Sequence, residues 1–171
     1  MSLLSRLFAS RPDPREALRP LWNAVITEAR RPAWYADHGV NDTVAGRFDM
    51  VCAVLAAVLV RMETIGTMTN ESVLLTELFV HDMDGQLREF GVGDVVVGKH
   101  VTKLMGAMGG RLTAYRDGLS GDDAALFAAV ARNVSLREGA DPAAVASELR
   151  AFAARLSITP DTALLAGEIA P

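Results

Sequence analysis

Cysteine is nearly absent from this chain. Cys52 is the single one in 171 residues, so neither a disulfide framework nor a cysteine-based zinc site can form within one copy. Its position in the apolar run Met50 to Val60 is that of a small hydrophobe. Aromatic residues are also scarce, 6% against 50% hydrophobic residues in all, so a core must come from Leu, Val, Ala and Met, a set that favours helices. No apolar run is long enough to cross a bilayer. The stretch from Phe48 to Arg61 is about half the ~20 residues required and carries Asp49, which makes it a buried helix. An excess of basic residues is missing too: the net charge is -4, which argues against nucleic acid as a main partner, since phosphate binding needs a concentrated basic surface. Alternating strand patterns, internal repeats and low-complexity segments are absent as well.

What remains is helical periodicity, and it predicts an all-α fold: a single compact domain of about six or seven helices. Residues 1–14 form a basic, amphipathic N-terminal segment, and the helical domain fills 15–171. Leu3, Leu4, Leu7 and Phe8 recur at helical spacing beside Arg6 and Arg11, which fits either a short helix packed on the domain or a membrane-surface or targeting helix. A signal-peptide apolar region and cleavage site are lacking, so a cytoplasmic or organelle-matrix setting is expected.

The first helix is expected near Arg15 to Arg30, followed by a loop from Ala33 to Asn41. Asp42 or Thr43 is placed to cap a helix to about Ile65 that is apolar nearly all round, interrupted mainly by Arg47, Asp49 and Arg61; it should be the central and most buried element. A further helix runs from Ser72 to Phe90. Gly91-Val92-Gly93 breaks it, Asp94 starts the next, and Gly118 ends that one. Ser120 with Asp123 resembles a capping box for a helix to about Glu138. Asp141-Pro142 and Thr159-Pro160 mark two last helices, Asp141 to Leu156 and Pro160 to Glu168.

The stretch from Leu75 to Tyr115 is the densest in features that a plain helix connection does not require. Projected on a helix, Leu75, Phe79, Met83, Leu87 and Phe90 share one apolar arc, with His81, Asp84 and Arg88 on the opposite, wet face. Asp82, Gln86 and Glu89 form a polar strip between that arc and Leu78. A carboxylate placed there is costly unless paired, and Arg47 and Arg111 are the candidate partners of Asp82. Two readings of the strip stand side by side: an internal ion pair that locks helices together, and a partner-binding surface. For the second, the candidate contacts are Asp82, Asp84, Arg88, Glu89, Asp94, Lys99 and Lys103.

Chemistry finds little support. Asp82 and Asp84 point to different sides of a helix, and the segment has no calcium-loop register, so no metal is expected. His38, His81 and His100 with Met83 raise haem ligation, but no attachment motif accompanies them, and no cofactor is expected. Neither a nucleophile motif nor a dinucleotide fingerprint is present, so the chain is not expected to be an enzyme and no catalytic residue is assigned. Gly106, Gly109 and Gly110 within one helix suggest a close approach by a neighbouring helix or ligand.

An ordered set of blocks runs through the chain: Trp34-Tyr35, Val40-Asn41-Asp42-Thr43, Gly46-Arg47-Phe48-Asp49, Leu78-Phe79, Asp82-Met83-Asp84, Leu87-Arg88-Glu89, Gly91-Val92-Gly93-Asp94, Val97-Gly98-Lys99, and Gly110-Arg111 with Ala114-Tyr115. In order and spacing they resemble the core of the ubiquinol-cytochrome c chaperone family, over residues 34–115. Met108-Gly109 departs from it, standing where that family has an aromatic pair. The resemblance implies a non-catalytic assembly chaperone that binds newly made cytochrome b, or its nascent chain, and supports the biogenesis of respiratory complex III. It also implies work at the inner membrane surface in a bacterium, or in the mitochondrial matrix in a eukaryote, where a small partner protein and the ribosome join in. The Ala-, Arg- and Val-rich composition looks bacterial. The alternative from another class is a small helical ligand- or haem-handling protein or enzyme. A deep pocket with converging titratable groups would favour that alternative, and a shallow charged groove the chaperone.

Overall fold

The computed structural model describes residues 13–89 and 94–169, with side chains placed except at 65, 86–89, 94–105 and 107. A 3-10 turn, Pro14–Leu18, leads into α1 (Arg19–Ala29), α2 (Pro32–Ala36), α3 (Val44–Ile65), α4 (Thr69–Glu89), α5 (Asp94–Ser120), α6 (Asp123–Asn133), α7 (Pro142–Ile158) and α8 (Asp161–Leu165). Six of these run to eleven residues or more. Among the described residues there is no strand, and Val40 and Leu136 form one isolated antiparallel bridge.

α3 is the hub, packed by α1, α4, α5 and α7. Every residue from Met50 to Leu59 is buried, as an all-round apolar helix requires. Thr43 sets its start: the hydroxyl accepts from the Gly46 N–H at 3.1 Å, satisfying one of the free donors of the first turn. Gly46 is dictated by sterics, because a Cβ there would lie 2.0 Å from the Asn41 carbonyl oxygen. That contact lets the preceding loop lie flat on the helix. Asn41 then ties the loop to the α6–α7 connection, its backbone N–H donating to Ser135 and its side-chain amide to the Leu136 carbonyl, both at 2.9 Å.

Several local expectations are corrected by packing. The segment after Pro32 forms a turn of helix, because Trp34 is fully buried and its indole N–H donates to the Glu28 carbonyl. Gly118 lies inside α5, two residues before its end; a Cβ there would meet the Leu126 Cα at 2.9 Å, so its use is the close turn of α6 onto α5. Asp122, not Ser120, caps α6 by accepting from the Ala125 N–H, and that helix stops at Asn133, ahead of the bridge between Leu136 and Val40. Asp141 caps α7 as expected. The Thr159 hydroxyl instead donates back to the Arg155 carbonyl, and α8 begins at Asp161. Gly106, Gly109 and Gly110 face open space, with no atom within 4 Å of a Cβ built on any of them, so the expected close approach does not occur among the described residues.

Candidate functional site

Asp82 is paired, and its partners differ from those expected. Arg19 Nη1 lies 3.2 Å from Oδ1, and the indole N–H of Trp22 donates to Oδ2 at 2.5 Å. Glu16 holds the same guanidinium from its other side at 2.8 Å. Neither Arg47 nor Arg111 reaches Asp82: Arg47 bonds the exposed Asp42 at 2.6 Å, and Arg111 bonds Asp49. The helical projection located the polar strip on α4, but α1 and the turn before it are what pack there. The pair is also less buried than expected, with the Asp82 side chain 29% exposed. His81 is exposed, whereas Asp84 is half-buried and engaged in a polar interaction, so it does not stand wholly on a wet face. The side chains of Arg88, Glu89, Asp94, His100, Lys99 and Lys103, and the Gly91-Val92-Gly93 break, lie outside the described residues.

Among the described residues the buried charged side chain is Asp49. Its side chain is 7% exposed; Oδ1 takes Arg111 Nη2 at 2.8 Å, and Oδ2 accepts from the Ser135 N–H at 2.9 Å and hydroxyl at 2.6 Å. A carboxylate set directly against the unbroken apolar run Met50 to Val60 was the available signal. One residue thus joins α3 to α5 and to the strand-like bridge after α6. The Arg111 guanidinium also lies over the Phe48 ring, 5.3 Å from its centroid, an added attraction. Around it, burial pushes the Cys52 thiol up to about 11 and raises the Tyr115 phenol well above its ordinary range. Both groups are therefore neutral at physiological pH, and Cys52 is not poised as a nucleophile. Arg111 Nη1 and the Tyr115 hydroxyl have no hydrogen-bond partner among the described residues.

Among the described residues the surface carries open depressions. One, of about 320 Å³, is lined by Trp22, Asn23, Ile26, Thr27, Arg30 and Asp82. A second, of about 470 Å³, is lined by Arg30, Pro32, Tyr35, Ala36, Asp42 and Arg47. Arg30 belongs to both, so a polar furrow follows the outer face of α1 and brings Asp82 and Arg47 onto one surface without contact between them. A third depression lies between α6 and α7, where Phe127 stands exposed among alanines. Among the described residues no group of three His, Cys, Asp or Glu side chains gathers as metal ligands, and no helix is long and apolar enough to cross a membrane.

An all-α body with charged furrows defines a helical interaction domain, and comparison with known proteins gives its family. The chain belongs to the ubiquinol-cytochrome C chaperone family, whose profile matches residues 36–170. It is similar to the crystal structure of the Cbp3 homolog from Brucella abortus, with a TM-score of 0.77 and 30% identity over 98% of this chain and 96% of that one. No curated protein matches it at a significant level. Several of the residue blocks quoted above now have structural reasons: Asn41 and Gly46 seat the loop on α3, and Asp49 with Arg111 forms the buried pair.

Proposed function

We propose that this protein is a non-catalytic assembly chaperone that binds newly made cytochrome b and supports the building of ubiquinol-cytochrome c reductase. The observation that carries the reading is the family match over residues 36–170, joined to a structural likeness that spans nearly the whole chain. The surface is consistent with it, because open, charged furrows suit a protein partner better than a small substrate. We assign the client contact to charged residues of α4 and the start of α5: Asp82, Asp84, Arg88, Glu89, Asp94, Lys99 and Lys103. Charges at such a rim tune encounter and specificity, so single changes are mild and combined reversal is strong.

The test is affinity capture of the tagged protein from cells, together with reversal of Asp84, Arg88 and Lys99 in one variant. Cytochrome b is expected in the captured material, and the folded triple variant is expected to lower cytochrome b content and ubiquinol-cytochrome c reductase activity. Normal complex III in a clean deletion strain would end the chaperone reading.

A further inference from the structure

Arginines in this fold are habitually engaged. Among the described residues Arg15, Arg19, Arg31, Arg47, Arg61, Arg111, Arg116, Arg150 and Arg155 each hold a carboxylate. Arg132 and Arg137 each donate to a backbone carbonyl. Arg30 alone among them makes neither bond with its side chain, which stands exposed where α1 meets α2. A cation left without a partner at the rim of a depression has a charge to offer a ligand.

The same depression is lined by Arg47, whose bond to Asp42 uses Nε, and among the described residues its terminal nitrogens make no hydrogen bond. Arg30 and Arg47 line this depression together with Tyr35, whose phenol is raised by burial while both positive charges oppose that rise. Arg137 adds a third guanidinium through its bond to the Ala36 carbonyl, at 3.1 Å. Against these stand Asp42, held by Arg47, and the exposed Asp37. One turn before Arg47, Val44 projects into solvent with 78% of its surface exposed; positions three apart are neighbours on a helix surface.

We propose that the Arg30–Arg47 depression binds the phosphate of an anionic phospholipid headgroup, seating the chaperone on the membrane that holds its client. Guanidinium groups are matched to phosphate oxygens, and an aliphatic side chain beside them lies at the depth of the acyl boundary when the headgroup is engaged. A net charge of -4 opposes approach to an anionic surface, so the attraction has to be local, as it is here. No helix among the described residues is long and apolar enough to cross a bilayer, and a headgroup site would let this domain meet a membrane-embedded client at the surface. The biological setting rests on the chaperone reading above; the lipid chemistry does not.

Flotation of the full chain with vesicles tests this, using phosphatidylcholine alone and phosphatidylcholine mixed with phosphatidylglycerol. The protein is expected to float with the mixed vesicles and to be released by salt. Arg30→Gln or Arg47→Gln should weaken binding about fivefold, and both together about thirtyfold. Arg116→Gln, at the pair with Glu63 near the opposite end of α3 from Arg47, should change nothing, and Asp42→Asn should strengthen binding. Circular dichroism checks that each variant is folded. The proposal is overturned if the protein does not float, or if the folded double variant floats like its parent. It is equally overturned if the depression takes glycerol phosphate or an acidic peptide in solution while vesicles are ignored. A chain that floats as expected but captures no cytochrome b would sink the chaperone reading and leave the lipid site standing.

Discussion

Removing the Asp49 carboxylate should be the most damaging single truncation of a charged side chain in this protein. The Asp49→Ala variant leaves the Arg111 guanidinium in place, with Nη1 already unbonded and Nη2 newly so. It also deprives Ser135 of an acceptor for both its N–H and its hydroxyl. Breaking a pair of this kind costs about 3–5 kcal/mol, because the surviving charge stays buried without compensation. For a domain of this size the expected fall in Tm is about 6–20 °C, a large share of a total stability of about 5–15 kcal/mol. Urea denaturation followed by far-UV circular dichroism measures it. Replacing both partners at once, Asp49→Leu with Arg111→Met, should recover most of the loss, since an apolar pair of similar volume carries no desolvation penalty. A loss under about 1 kcal/mol for Asp49→Ala, or a double variant weaker than the single one, would refute the reasoning.

Asp82→Ala should cost less, about 1–2 kcal/mol: its pair with Arg19 is partly solvated, and what goes is chiefly the charged hydrogen bond to the Trp22 indole. Parallel urea titrations rank the two variants, and a larger loss at Asp82 would contradict the burial argument. Gly46→Ala should destabilise by about 1–3 kcal/mol or more, since the added methyl collides with the Asn41 carbonyl; a melting temperature equal to the parent's would show that the loop can retreat at no cost. Cys52, buried and with its thiol pushed up to about 11, should react with a thiol reagent at neutral pH only as fast as the protein opens. Modification at the rate of an unstructured cysteine would place it at the surface.

The helical class, a cap at Asp42 or Thr43, the cap at Asp141 and the central place of α3 were legible in the sequence, because each depends on residues within one or two turns of one another, and the structure selects Thr43. Helical period and capping are local properties, written in neighbouring side chains. The chaperone family was legible for a different reason, through the order of short residue blocks. Arg111 was also recognised as one half of an ion pair, but for Asp82 and not for Asp49. Which helix lies against which is not written locally. A projection shows that Asp82 faces sideways from α4, yet only the docking of α1 supplies Arg19 and Trp22 as its partners, 63 and 60 residues away in sequence. Asp49, Arg111 and Ser135 come from three separate segments, and their meeting depends on α3, α5 and the α6–α7 connection packing together. The furrow that gathers Asp82, Arg30 and Arg47 on one surface has the same origin. Sequence alone determined what each helix is and which of its faces must be covered; tertiary structure decided what covers it, because burial joins groups that the chain itself keeps far apart.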